Sequence, residues 1–349
     1  MKSNKRTAEK MPRIHELLQG KKCMLIVMQD NPDPDAIASA AGLRELANKT
    51  AGVSCFICHG GIVGRSENRA LIRYLDLKLH RIQDLELQRF DLIAMVDTQP
   101  GAGNNSLPVT IEPHIVIDHH PMRKNTRCCP FTDIRSRYGA TATILREYLY
   151  EAGVELETQI ATALLYGIRS DTQNLGRDTT QADIDAFFSL YPLANKRMLS
   201  RIEWGPVPRV YFQLMTNALR NAKAYDHCIV AGIGDIDNPD MISEIADLLL
   251  RDDGCEWVMC FGIYEKEFRL SLRTSDGSAD AGKVARRIAG RKGSGGGHNM
   301  LAAARIPLNK ETRKERTELE RLSIKRFLQA TGAASANPTR LVQIPGNGR

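Results

Sequence analysis

The sequence predicts two α/β domains, the first built around a largely parallel sheet and the second smaller, joined by a connecting helix. Three observations predict this. The chain has 349 residues, more than one hydrophobic core comfortably organises. Short apolar runs of strand length alternate with helical patterns, as in a sheet covered by helices. The alternation stops near residue 195 and resumes near residue 228, which separates one unit from the next. An apolar content of 42% with 26% charged residues is that of an ordinary folded chain.

The elements follow in order. After a polar start, Cys23-Met-Leu-Ile-Val-Met28 is a continuous apolar run, read as a buried strand. A loop from Gln29 to Pro34 leads into a helix from about Asp35 to Lys49. Val53 to Cys58 is a second strand, Ser66 to Leu77 a helix, and the runs at 91–96 and 114–117 are further strands. Helical patterns cover 139–152, 158–168 and 181–190. From Asn195 the chain becomes a linker with a Pro-interrupted helical stretch over 203–223. Then come a strand at 228–233, a helix at 239–250, a hairpin of 257–264 with 267–273 turning at Glu265-Lys266, and a helix at 281–289. Residues 309–330 form a charged amphipathic helix, and a Gly-, Ala-, Asn- and Pro-rich tail over 331–349 is expected to be mobile.

Composition narrows the class. No apolar run approaches the roughly 18 residues needed to span a bilayer. The basic start is followed by neither a long apolar stretch nor a small-residue cleavage site, so a cytoplasmic location is expected. The eight cysteines are scattered, and Cys55 and Cys58, although spaced as CxxC, would point to opposite faces of a strand. They read as reduced thiols buried as small hydrophobes. A net charge of +7 favours anionic partners such as nucleotides or short nucleic acids.

The chemistry lies in the strand ends. The first strand runs into Asn31-Pro-Asp-Pro-Asp35, the strand at 91 into Asp97-Thr98, and the strand at 114 into Asp118-His-His-Pro121. In open parallel sheets ligands bind beyond the carboxyl ends of the strands, so three acidic loops should converge on one crevice. An Asp at a strand end often caps the next helix, and Asp35 could do only that. Two adjacent imidazoles, His119 and His120, are not needed to end a strand. Clustered carboxylates repel one another unless divalent ions occupy the cluster. Oxygen-rich ligation with a single imidazole suits Mn²⁺ or Mg²⁺ better than Zn²⁺. Two such ions about 3.5–4 Å apart suit in-line displacement at phosphorus.

At these residues the sequence resembles the DHH phosphoesterases, which carry a DHH-associated C-terminal domain. The family includes RecJ-type exonucleases, oligoribonucleases, cyclic-dinucleotide phosphodiesterases, and enzymes acting on 3'-phosphoadenosine 5'-phosphate or polyphosphate. The first motif is Asn31-Pro-Asp-Pro-Asp-Ala36, the second Asp97-Thr98, the third Asp118-His-His120 and the fourth Gly167-Ile-Arg-Ser-Asp-Thr172. Arg273 and Gly295-Gly-Gly-His298 resemble the substrate-gripping elements. The resemblance implies a DHH catalytic domain over 20–192, a linker and connecting helix over 193–225, and a DHH-associated substrate-binding domain over 226–308. A C-terminal helix and tail would fill 309–349, and the active-site cleft would lie between the domains. It implies that Asp33 and Asp97 hold one metal ion, and that Asp35, Asp97, His119 and Asp171 hold the other, with Asp97 bridging. His120 would lie near the scissile phosphate as hydrogen-bond donor or acid, and Mn²⁺ would be the usual activator. Arg273, Gly295, Gly296, Gly297 and His298 would hold the far end of the substrate. Physical reasoning supports this last role, because a Gly-rich stretch after Arg291-Lys292 exposes N–H groups beside basic side chains and can cradle a phosphate. A flexible surface loop is the alternative.

Two positions depart from the resemblance. Short-substrate members commonly begin the first motif with a histidine that ligates the first metal, where this chain has Gln29, a poorer ligand. Asn299 to Arg305 lacks the glycine that often closes the last element. The expected activity is two-metal in-line attack of hydroxide on phosphodiester or phosphomonoester bonds in short oligonucleotides or nucleotides. Short substrates are favoured because the chain has two Trp and no aromatic-rich basic barrel pattern. Pyrophosphate or polyphosphate hydrolysis stays open, and a nucleotide-binding sensor with a degenerate metal centre is the alternative from another class. No membrane partner is expected. The helix at 309–330 reads as packed on the second domain, with subunit pairing into a homodimer or nucleic-acid contact as the other reading.

Overall fold

The computed structural model describes residues 3–297 and 299–342, so His298 lies outside the described residues. The chain divides into two compact units, Met1–Pro206 and Val207–Arg349.

The first unit opens with a helix where a merely polar start was expected. This helix, α1 (Lys5–Leu18), is capped by Asn4 and buries Ile14 and Leu18. Next come β1 (Cys23–Val27), α2 (Pro34–Ala51), β2 (Ser54–His59), α3 (Ser66–Tyr74) and the short β3 (Leu79–Arg81). Then β4 (Leu92–Val96), β5 (Ile115–Asp118) and β6 (Phe131–Ile134) follow one another, and α4 (Thr141–Glu151), α5 (Thr158–Asp171), α6 (Gln181–Leu190) and α7 (Lys196–Glu203) complete the unit. The six strands pair in parallel in the order β3-β2-β1-β4-β5-β6.

Alternation along the strands explains why they read as continuous apolar runs. Met24 and Ile26 enter the core shared with α2, α4 and α5, while Leu25 and Val27 join Ile93, Met95 and Val116 in a second cluster. Each such side chain stabilises the fold by about 1.5–3 kcal/mol on leaving water. The chain adds β2 and β3 on one side of β1, then crosses to add β4, β5 and β6 on the other. The carboxyl ends of β1 and β4 therefore flank the topological switch point, where open sheets bind ligands. Helix α5 approaches α2 closely because residue 167 is glycine. A Cβ there would lie 3.1 Å from both Ala38 Cβ and Asp35 Oδ1.

The stretch 203–223, expected to be helical with a proline interruption, holds the last residue of α7 and one further helix. Helix α7 stops at Glu203 and α8 (Arg209–Asn221) starts after Pro208, because Pro206 and Pro208 cannot donate to a helical ladder. The second unit continues with β7 (Lys223–Tyr225), β8 (Cys228–Asp235), α9 (Asp240–Leu249), β9 (Trp257–Tyr264), β10 (Glu267–Thr274), α10 (Ala281–Ala289), β11 (Ser294–Gly297), β12 (Leu301–Pro307), α11 (Arg313–Ala330) and β13 (Thr339–Arg340). Its seven strands form a mixed sheet in the order β11-β12-β10-β9-β8-β7-β13, with β8 and β9 parallel. The β9–β10 turn has φ of 46° at Glu265 and 65° at Lys266, the two left-handed residues of a tight hairpin. Part of the segment expected to be a mobile tail pairs instead as β13 against β7. No described helix is long and apolar enough to cross a membrane.

Candidate metal centre

Four loops bring the acidic residues together. Asp33 caps α2, and its Oδ1 accepts the Ala36 N–H at 2.9 Å. Asp35 stands in the first turn of α2, fully buried, and accepts the backbone N–H groups of Thr141 and Ala142 at 2.6 and 2.8 Å. These two donors open α4, so Asp35 also faces a helix N-terminus. Asp97 follows β4 with φ at 57°, in the left-handed region, and its carboxylate is buried. Its Oδ1 accepts the Thr141 hydroxyl at 2.9 Å, and its Oδ2 accepts Gln29 Nε2 at 2.8 Å. Asp171 ends α5.

His119 completes the cluster. Its Nδ1 lies 3.1 Å from the Tyr138 carbonyl, which only accepts, so Nδ1 carries a proton and Nε2 is the atom left to face a cation. That Nε2 is buried with no hydrogen-bond partner, 3.4 Å from Asp171 Oδ2 and 3.5 Å from Asp97 Oδ1. Asp35, His119 and Asp171 offer ligand atoms all within 4.8 Å of one another, as do Asp97, Asp118, His119 and His120. Neighbouring ligands around a small octahedral dication with bonds of about 2.0–2.1 Å sit roughly 3 Å apart. A contraction of a few tenths of an ångström would bring His119 Nε2 and the nearest oxygens of Asp97 and Asp171 to that spacing. An imidazole oriented by a backbone carbonyl behind it is the usual support of a metal-ligating histidine. The donor set therefore fits a hard divalent cation. Asp33 belongs to neither group of ligand atoms, because its oxygens face Ala36 and Gln29.

The charges tell the same story. Burial, then the nearby Asp171, pushes the Asp33 carboxyl up to about 6 and that of Asp35 up to about 8. Burial, then Asp33 and Asp35, holds Asp97 well above the ordinary carboxylate range. Burial acts against a charged His119, but Asp171 and the other carboxylates outweigh it and raise the imidazole to about 10. Groups that resist carrying their negative charges together are those a dication neutralises. Asp118 behaves otherwise. Burial opposes its charge, yet the His120 side chain and backbone N–H hold it below the ordinary value, with Nδ1 at 2.8 Å.

Several supporting residues carry no sequence signal. Gln99 is buried and fully engaged. Its Nε2 donates to Asp118 Oδ2 at 2.7 Å and to the Pro121 carbonyl at 3.2 Å, and its Oε1 accepts from Arg123 N–H and the Thr126 hydroxyl, both at 2.8 Å. Thr141 binds both Asp35 and Asp97. Asp183 accepts the Gly139 N–H at 2.9 Å and the Thr143 hydroxyl at 2.6 Å, fixing the turn that carries the Tyr138 carbonyl. The one local hint was Tyr138-Gly-Ala-Thr141, a turn followed by a helix start.

The second unit holds the remaining expected residues. Arg273 is buried, and its guanidinium is engaged by Asp247, the Ser271 hydroxyl and the Leu272 carbonyl. Gly295, Gly296 and Gly297 are not a loop. They form the edge strand β11 against β12, where the ladder occupies part of the backbone that a phosphate cradle would need. A Cβ on Gly295 would lie 2.8 Å from the Ala285 backbone, so glycine there lets β11 pack on α10.

Comparison with known proteins bears on the same regions. Residues 24–168 match the DHH family N-terminal domain, and residues 226–322 match the DHHA1 domain. An uncharacterized protein of Methanocaldococcus jannaschii is 37% identical over 287 residues, covering 82% of this chain and 58% of its own. A probable manganese-dependent inorganic pyrophosphatase of Brevibacillus brevis is 29% identical over 174 residues, covering 49% of this chain and 54% of its own. The chain thus spans a little over half the length of these curated relatives. Among solved structures, an exopolyphosphatase-related protein from Bacteroides fragilis shares the fold with a TM-score of 0.72 at 16% identity, over 93% of this chain and 98% of that one. The exonuclease RecJ bound to manganese aligns with a TM-score of 0.50 at 14% identity, over 93% and 94%. With motif order, sheet topology and both domain matches in agreement, the chain belongs to the DHH family, with an N-terminal DHH domain followed by a DHHA1 domain.

Proposed function

We propose that this chain is a divalent-metal-dependent phosphoesterase acting on short oligonucleotides or nucleotides, with Mn²⁺ the preferred ion and Mg²⁺ a substitute. The observation that carries the reading is the buried, unpartnered His119 Nε2 aimed at Asp97 and Asp171. Asp35, Asp97, His119 and Asp171 would hold the ion, with Asp33 and Asp97 as the candidates for a second. A bound dication would supply charge neutralisation at a phosphoryl group and acidify a water beside it. The protein's own part is positioning. Thr141 orients Asp35 and Asp97, and Tyr138 fixes the tautomer of His119. Asp118 fixes the ring of His120, which would donate a proton or a hydrogen bond at the phosphate. Arg273 would have to leave Asp247 to grip a substrate, and the outer edge of β11 is where Gly295–Gly297 could meet a phosphate.

A second reading, hydrolysis of pyrophosphate or polyphosphate, draws support from the names of the Brevibacillus brevis relative and of the Bacteroides fragilis structure. One panel separates the two. Dinucleotides, longer oligomers, 3'-phosphoadenosine 5'-phosphate, cyclic dinucleotides, pyrophosphate and polyphosphate are each incubated with Mn²⁺ or Mg²⁺. The proposal expects turnover of dinucleotides or nucleotides, lost in Asp97→Ala. Turnover of pyrophosphate or polyphosphate alone would replace it with the second reading. Tight nucleotide binding without turnover of any substrate would overturn both.

A further inference from the structure

Gln29 divides the acidic pocket into two unlike halves. It lies two residues past the end of β1 and is half-buried. Its Nε2 donates to Asp33 Oδ2 at 3.0 Å and to Asp97 Oδ2 at 2.8 Å. The amide presents its NH₂ to both carboxyl groups, so it acts there as a donor and not as a metal ligand. The other oxygen of Asp33 already accepts the Ala36 N–H. The Asp33–Asp97 pair thus shares a donor that bridges it. The other half, Asp35 with Asp171 and His119, contains a buried nitrogen with no partner.

Resting on the metal-dependent reading above, we infer that Gln29 sets metal occupancy: one divalent ion binds tightly at Asp35, His119, Asp171 and Asp97 Oδ1, and a second enters beside Asp33 and Asp97 Oδ2 only by displacing the Gln29 amide. Displacement breaks two charge-assisted hydrogen bonds. The amide, once turned over, offers a neutral oxygen, a weaker ligand for a transition metal than imidazole or carboxylate. A substrate phosphoryl oxygen adds the missing anionic ligand. Loading is therefore ordered, with a resident ion first and a second ion arriving together with the phosphate ester. Phosphate esters that travel as divalent-ion complexes are the substrates this order favours.

The test counts ions rather than turnover. Mn²⁺ is titrated into the chelated, dialysed full-length protein by calorimetry, and bound metal is checked by mass spectrometry and electron paramagnetic resonance. The wild type should bind one ion per chain tightly and a second at least 30-fold more weakly, with inorganic phosphate tightening the second at least tenfold. Gln29→His, shown folded by circular dichroism, should bind two ions within tenfold of each other and give the resonance of a coupled pair. Two ions of matched affinity in the wild type, no effect of phosphate, or a folded Gln29→His that still takes a single ion would each overturn the inference. If Gln29→His does not fold, the wild-type titration with and without phosphate decides alone. Matched double occupancy would leave the metal-dependent reading standing, whereas no tightly bound ion in the wild type would overturn both.

Discussion

The carboxylate cluster should destabilise the chelated protein, and removing one charge should reverse that penalty. Asp97→Asn is the informative change. Asn adopts the left-handed φ of 57° readily, and its amide oxygen can keep the Thr141 hydroxyl. Gln29 can turn its amide over to meet the new NH₂ at the loss of its bond to Asp33, a cost that offsets part of the gain. A carboxyl whose pKa is raised on folding favours the folded state below its unfolded value near 4, and the advantage is lost as pH climbs toward the folded value. Asp97 lies well above the ordinary range, so its cost grows as pH rises from about 4 toward that raised value. We expect Asp97→Asn to match wild type near pH 4.5 and to be the more stable protein at pH 8, each tenfold rise in the carboxyl's proton affinity being worth about 1.4 kcal/mol, or roughly 3–6 °C in a unit of this size. Saturating Mn²⁺ at about 100 times its dissociation constant should then stabilise wild type by about 2.7 kcal/mol and Asp97→Asn by nearly nothing, inverting the order. The assay is thermal unfolding by circular dichroism across pH, with chelator and with Mn²⁺. An Asp97→Asn protein less stable than wild type in chelator at every pH would refute the reasoning.

The same geometry makes further predictions. Asp35→Asn should lack the gain of Asp97→Asn, because both Asp35 oxygens accept backbone N–H groups and an amide NH₂ must face one of them, at a cost of about 1–3 kcal/mol seen in chelator melts at pH 8. Mn²⁺ affinity should rise with pH between 6 and 8, the values to which Asp33 and Asp35 are pushed, since protons compete for the same oxygens; calorimetry showing flat affinity there would contradict this. Gln99→Leu should destabilise the first unit by about 2–4 kcal/mol in urea titration, because it strands Asp118 Oδ2, Arg123 N–H and the Thr126 hydroxyl. Gly167→Ala should push α5 from α2, costing about 1–3 kcal/mol and weakening Mn²⁺ binding, since its Cβ meets Ala38 and Asp35 at 3.1 Å.

The parallel sheet and the acidic strand ends were legible because both are local signals. Continuous runs such as 23–28 and 91–96 announce buried strands, and Asp97 or Asp118 directly after them announces the crevice. What was missed is tertiary. Helix α1 hides in a charged segment because it is held by a polar network in which Thr7 meets Glu147 and Arg135 meets Asp133. Strand β6 hides because it buries that same Asp133, whose partner Arg135 lies two residues on. The glycines at 295–297 advertise a loop, yet they pair as a strand in which Gly295 packs against the backbone of α10. Gln99 and Thr141 are ordinary polar residues in the sequence. Their roles exist only once the loops around the switch point meet.

The most direct measurement is the anomalous diffraction of Mn²⁺ in crystals of the full chain. A peak bonded to His119 Nε2 with oxygens of Asp35 and Asp171 is the predicted result. A peak elsewhere while His119 Nε2 stays without a ligand, or none at these carboxylates at saturating Mn²⁺, would contradict the metal centre on which the proposed chemistry depends.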